Sequence, residues 1–254
     1  MPASRVAAFQ HRWIASLIKR KTAIQFAVGL VGALSFSNAS AIEAATACEL
    51  DRPIRFVAMD WESNRILLEV ERFIVEHGYG CATEAQELDV VKGVQALAEG
   101  EADVHTEVWL NSVPVQWRDA EDNNQVKRLG ELYLGGAAAF VPEAVKEAAQ
   151  QAKAQDEPVD QCAAGANCSE DPLAYPDYAV FTGITSQFSV QAPQLSAFFS
   201  NVRIQPELMG ELLKPVQEQT STPEEAARQF LQDNEDVWRQ WLPMHVTLRV
   251  KGAL

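Results

Sequence analysis

The chain has 254 residues, 47% of them hydrophobic, with 21 Lys+Arg against 35 Asp+Glu and a formal net charge of -14. That length admits one large domain or two small ones. The composition excludes wholesale disorder, and a pI near 4.7 excludes the basic face that nucleic-acid binding requires. A polytopic membrane protein is excluded as well, because no stretch supplies the roughly 20 consecutive apolar residues of a span.

Residues 1–41 hold Arg5, Arg12, Lys19, Arg20 and Lys21 and no acid. A short apolar stretch, 23–36, follows them, and Ser37-Asn38-Ala39 and Ala39-Ser40-Ala41 then offer small residues at the -3 and -1 positions. This is the pattern of a cleaved secretory signal. As a helix the apolar stretch would span about 21 Å of a roughly 30 Å bilayer core, which argues against an anchor. The working protein is therefore expected in the periplasm without residues 1–41. It keeps 16 basic residues and all 35 acids, a net charge of -19. A lipid anchor at Cys48 is disfavoured, because Ala45 stands where a lipobox prefers Leu.

Export makes disulfides the default for the even set Cys48, Cys81, Cys162 and Cys168. Among the three connectivities the preferred one is Cys48–Cys81 with Cys162–Cys168. The second pair is close in sequence, and the first flanks one predicted unit. C-x5-C with no nearby His is poor zinc spacing, so neither a metal nor another cofactor is expected.

Residues 54–59 form the first strand candidate. Ser63 or Asn64 can cap a helix to His77, whose Ile66, Val70, Phe73 and Ile74 recur at helical spacing, with Gly78 as its C′ residue. Residues 81–88 read as a second strand. Asp89 caps a helix carrying Val90, Val94 and Leu97, which Gly100 ends, and 102–110 reads as a third strand. Strands and helices alternating with short joints mean a parallel sheet with crossover helices.

Further along, 126–133 and 136–141 are short strand candidates and 143–154 is an Ala- and Gln-rich helix. Residues 155–176 contain Pro158, Gly165, Pro172, Pro176 and two cysteines and read as a loop. Residues 178–185 are the last strand candidate. Helices opened by Pro193, Pro206 and the capping box Thr222-Pro223-Glu224-Glu225 follow. Trp238 and Trp241, three apart, are expected to share a face of a terminal helix and anchor it to the core. Trp117 reads as packing.

There is no nucleophile elbow, no phosphate-binding loop and no H-E-x-x-H, so the chain is not expected to be an enzyme. His105 and Glu107, two apart on the third strand, are expected to share a face, but two ligands do not make a metal site. More informative are Trp61, in Met59-Asp60-Trp61-Glu62-Ser63 just after the first strand, and Trp109, which closes the third. Ligands of open parallel sheets bind outside the carboxyl ends of the strands. Two indole faces beside Asp60, Glu62 and Glu107 would suit a quaternary ammonium ion, which cannot donate hydrogen bonds. Packing in the core or on the rim is the alternative for both indoles.

The stretch Arg52-Pro53-Ile54-Arg55-Phe56-Val57-Ala58-Met59-Asp60-Trp61 resembles the opening of the substrate-binding proteins of glycine betaine, proline and choline ABC transporters. The similarity continues through 73–81, 97–104 and 107–110, takes in 192–199, and ends with 223–228 and 237–243. It implies a type II periplasmic-binding-protein fold: an α/β lobe with a mostly parallel sheet flanked by helices, followed by C-terminal helices. In that family, aromatic residues from two lobes close around a trimethylammonium group. By the resemblance Trp61 and Trp109 are the first-lobe aromatics, with Asp60, Glu62, Ser63 and Glu107 near the ligand. The implied ligand is glycine betaine, choline or a related quaternary amine, and the implied partners are an ABC permease and its ATPase subunit. Asn111 stands where the family often has Pro.

The larger departure lies in the middle. About 36 residues separate Val141 from Tyr178, whereas each crossover of a parallel αβ lobe takes at least about 10–12. The expected organisation is a signal at 1–41, a first lobe from 48–142 and 177–252, and a shortened linker, 143–176, where the second lobe is largely absent. Two Trp–cation contacts give at most about 4 kcal/mol, close to millimolar binding. Tight capture would then take a second wall from a partner chain or a homodimer. The rival expectation is a one-lobed interaction module, or a remnant that no longer captures ligand.

Overall fold

The computed structural model describes residues 48–133, 141–154 and 180–254. The expected signal, the expected loop 155–176 with Cys162 and Cys168, and nearly all of the strand candidate 136–141 lie outside them. In chain order the first elements are β1 (Ile54–Ala58), α1 (Glu62–Phe73), β2 (Thr83–Glu87), α2 (Val90–Ala98) and β3 (Val104–Trp109). Next come α3 (Pro114–Asp122), β4 (Val126–Glu131), α4 (Glu143–Ala154) and β5 (Val180–Thr185). The rest is helical: α5 (Ser186–Gln191), α6 (Pro193–Asn201), α7 (Pro206–Gln217), α8 (Pro223–Asp233), α9 (Glu235–Trp238) and α10 (Met244–Ala253).

The strands form one sheet in the order β2-β1-β3-β5-β4. β1 is parallel to both neighbours, as the alternation of strands and helices predicts. β5 is antiparallel to β3 and to β4, so it alone runs against the others. The chain moves outward from β1 to β2 and then back past β1 to β3. Right-handed crossovers therefore put α1 and α2 on opposite faces of the sheet. α7 and α8 pack on α1, and α3 packs on α2.

Several local signals act as expected. Asp89 accepts from the Lys92 backbone N–H at 2.8 Å and starts α2, and Gly100 takes φ 74° where α2 ends. At α8 both arms of the Thr222 capping box form, at 3.2 and 2.9 Å. Cys48 and Cys81 are joined by a disulfide, which ties the segment before β1 to the approach to β2.

Others act differently. Neither Ser63 nor Asn64 caps α1, because both lie inside it and are engaged elsewhere; the N-cap position is Trp61, with no side-chain cap. Asn64 Oδ1 accepts from the Met59 backbone N–H at 2.8 Å and so fixes the exit from β1. α1 runs on into a π turn, Ile74–Gly78. Gly78 is needed there for space: a Cβ on it would lie 2.8 Å from Val246 and 2.9 Å from Val250 of α10. Trp238 and Trp241 are buried as expected, but they are divided between α9 and the 3-10 turn Arg239–Trp241. Trp238 Nε1 donates to the Leu231 carbonyl at 2.8 Å, and Trp241 stacks on Phe230.

The sequence reading missed α3, opened by Pro114 at its first turn. It delivers Trp117 to Phe181 of β5, with ring centroids 4.7 Å apart. A Cβ on Gly183 would meet the Trp117 ring at 2.9 Å. Gly93 of α2 likewise admits Met59, whose Cε would be 2.6 Å from an added Cβ. On this face of the sheet, glycines set how closely the layers approach.

Candidate functional site

β3 is the middle strand of the sheet, and all six of its residues are buried. Three of them, His105, Thr106 and Glu107, are polar. The register between β3 and β5 slips between His105 and Val108, the mark of a β-bulge. The slip overturns the expectation that His105 and Glu107 share a face. His105 lies against Gly93 of α2, whereas Thr106 and Glu107 both reach α1. Burial lowers the His105 pKa to about 3, so it is a neutral core imidazole.

Glu107 is fully buried. Its Oε2 accepts from Trp61 Nε1 at 2.8 Å, its Oε1 accepts from the Tyr133 hydroxyl at 2.8 Å, and the Ser63 hydroxyl donates to the pair at 3.0 and 3.1 Å. Burial pushes its pKa up to about 7; the hydrogen bonds from Trp61, Tyr133 and Ser63, with Trp109 beside them, oppose that rise. Below it Thr106 donates to Glu71 Oε2 at 2.7 Å. Burial, with Glu107 as a like-charged neighbour, raises the Glu71 pKa to about 8. Glu71, Thr106 and Tyr133 carry no local sequence signal. Tyr133 lies 26 residues beyond Glu107, just past β4, which β5 separates from β3, so only the tertiary fold brings the two side chains together.

Above this network a cleft of about 310 Å³ opens, lined by Trp61, Glu62, Ser63, Val141, Pro142, Glu143, Leu213 and Gln217. It lies beyond the carboxyl end of β1, where the parallel strands predict a ligand. Its walls come from the start of α1, the entry to α4 and the end of α7. Trp61 keeps 8% of its surface exposed. Two carboxylates, Glu62 and Glu143, line the cleft, and among the described residues no lysine or arginine does. Lys146 holds Glu143 from one turn along α4, at 3.0 Å.

The sequence candidates thus separate. Trp61 and Ser63 both donate to Glu107, and Glu62 lines the same cleft as the first two. Asp60 points elsewhere: its carboxylate is largely exposed and pairs with Arg65 at 2.8 Å, and Arg65 also reaches Glu87. Trp109 is 2% exposed and tilts against Tyr133 at 6.4 Å, so it packs behind Glu107 and does not line the cleft. No group of three His, Cys, Asp or Glu that could hold a metal ion occurs among the described residues. Nor is any helix among them long and apolar enough to cross a membrane.

Solved structures with the same fold include a choline-binding protein of an ABC transporter in complex with choline. Its TM-score is 0.61, at 14% identity over 83% of this chain and 99% of that one. A glycine betaine, L-proline ABC transporter binding protein from Borrelia burgdorferi scores 0.58, at 11% identity over 78% and 100%. The lactococcal glycine betaine-binding protein, closed on glycine betaine, scores 0.55, at 16% identity over 76% and 100%. These likenesses fix the fold as that of type II periplasmic binding proteins. No curated protein matches the sequence. The family model for the substrate-binding domain of ABC-type glycine betaine transport systems matches residues 52–164 and 169–233, and the chain belongs to that family.

Proposed function

We propose that the chain is the exported solute-binding component of an ABC transporter for quaternary amines such as choline or glycine betaine. It takes the trimethylammonium group against Trp61 in the cleft at the end of β1 and delivers it to a membrane permease. The observation that carries this reading is the Trp61 indole. It lines a cleft whose only charged lining residues, among the described residues, are Glu62 and Glu143, and its N–H is fixed by a buried carboxylate. A quaternary ammonium ion asks for an aromatic face and negative potential, with no hydrogen-bond acceptor.

The affinity follows from the count of contacts. One Trp–cation contact contributes roughly 0.5–2 kcal/mol. The two cleft carboxylates add attraction that salt screens. Trp109 is buried and adds no second ring to the wall. Binding by this lobe alone is therefore weak, no tighter than millimolar, which would correspond to roughly -4 kcal/mol. A second wall, from the permease or a second copy of the chain, would tighten it.

The test is calorimetric titration of the exported chain with choline and with glycine betaine. A millimolar response that Trp61→Ala abolishes and Trp117→Phe preserves supports the proposal. No heat and no fluorescence change up to tens of millimolar would favour the one-lobed interaction module.

A further inference from the structure

Glu107 does not line the cleft. It is fully buried and meets the cleft through two of the side chains that donate to it, Trp61 and Ser63. Its carboxylate sits at the N–H edge of the Trp61 indole, 2.8 Å away. A charged acceptor strengthens that hydrogen bond and adds negative charge on the ring side away from the ligand. A cation on the indole face is attracted by the electrostatic potential of the ring. The ionised carboxylate raises that attraction, and the protonated carboxyl does not.

We propose that Glu107 is a positioning residue for the cation site: it fixes the Trp61 indole in the cleft wall and, through that ring, couples binding of a quaternary ammonium ion to release of a proton from the buried carboxyl. The inference rests on the reading of the cleft as a quaternary-amine site.

The surroundings suit both protonation states. Ser63 and Tyr133 bond Glu107 through hydroxyls, which can donate to a carboxylate or accept from a carboxyl. The Trp61 N–H can only donate, and it finds an acceptor oxygen in either state. The network therefore holds its geometry while its charge changes. Burial pushes the Glu107 pKa to about 7, so a nearby cation changes its ionisation at ordinary pH.

Glu71 on α1, raised to about 8, is the second buried carboxyl. The Tyr133 hydroxyl is pushed well above its ordinary value by burial and by Glu107, and it stays protonated. His105 is turned to the α2 face. At the cleft, Glu62 and Glu143 contribute charge, the latter paired with Lys146. Asp60 is paired with Arg65 outside the cleft. α7 lines the cleft with Leu213 and Gln217, which are uncharged.

The sign follows from linkage. A bound cation favours ionised Glu107, so binding lowers its pKa, releases a proton and strengthens as pH rises. A tenfold gain in affinity corresponds to a fall of one pKa unit on binding.

The experiment is calorimetric titration of the exported chain with choline at pH values from about 5.5 to 8.5, in two buffers of different ionisation enthalpy. Affinity is expected to rise roughly tenfold across that range, with protons released to the buffer. Glu107→Gln keeps an acceptor for Trp61 without a charge, and it is expected to bind weakly with no pH dependence. Trp61→Phe keeps a ring without the N–H and is expected to lose most of the dependence; it tests the same link should Glu107→Gln not fold. Glu71→Gln is expected to keep the dependence. A flat profile in the unaltered protein, or the same slope in Glu107→Gln, overturns the inference and leaves the proposed function standing. Loss of the slope in Glu71→Gln alone assigns the proton to Glu71 and also overturns it. No choline binding at any pH refutes the proposed function itself, and the inference with it.

Discussion

On the α2 side of the sheet, Gly93 and Gly183 let Met59 and Trp117 approach until an added Cβ would lie within 2.9 Å of them. On the α1 side of the same strands, Glu71, Thr106, Glu107 and Ser63 are buried and held by hydrogen bonds. One face is built by shape and the other by polar satisfaction. A buried carboxyl lowers stability unless it is bonded, and even then its charge is disfavoured. That the α1 side keeps two of them, under the cleft, sets it apart as the side on which the proposed cation site lies.

The comparison is open to breakage from either side, and the largest effect belongs to the packed face. Trp117→Ala removes the ring that fills the space between Gly183 and Phe181 and should destabilise the protein by about 3–5 kcal/mol. Chemical denaturation measures it, and choline affinity under native conditions should hold. Gly93→Ala is next: its Cβ has no room beside Met59 and Val57, and a loss of about 1–3 kcal/mol is expected in the same measurement. Choline affinity that fell with either change would break the division between the faces.

The polar face predicts a gain. Glu71 is raised from 4.5 to about 8 on folding, so between those values the folded state binds more protons than the unfolded one. Stability therefore falls as pH rises through that window. Glu71→Gln removes the loss and should be more stable than the parent by about 1–2 kcal/mol at pH 8, with little difference at pH 5. Denaturation midpoints at the two pH values check this; a variant destabilised equally at both would show Glu71 to be an ordinary structural acceptor. His105 acts in the opposite sense, its lowered pKa making stability fall as pH drops below about 6.5.

The smallest effect is at Ser63. Ser63→Ala removes one donor from Glu107 and should cost about 1 kcal/mol. It should also raise the Glu107 pKa further, which carboxyl NMR of the variant would record.

Much of this could be read from the residues in order. The alternation of strands and helices with short joints gave β1, α1, β2, α2 and β3, because each is fixed by contacts a few residues apart. The Pro-opened helices and the Thr222 capping box were legible for the same reason. Trp61 stood out because it follows a strand whose carboxyl end faces the ligand side. The rest depends on contacts distant in sequence. The bulge in β3 is set by pairing with β5, more than 70 residues away, and it alone turns Glu107 to α1 and leaves His105 on α2. Asp60 looks equivalent to Glu62 in sequence, but Arg65 draws it out of the site. Trp109 has the strand-end position of a ligand contact, yet Tyr133 covers it.

The central claim is that Trp61, and not its strand-end counterpart Trp109, is the aromatic wall of a cation site. The most direct test is to follow the indole N–H resonances of the protein without residues 1–41 by NMR while choline is added. The account predicts a saturable shift of the Trp61 resonance at millimolar choline, with those of Trp117, Trp238 and Trp241 unmoved. A Trp61 resonance that stays in place while Trp109 shifts, or no shift at any indole, would contradict it.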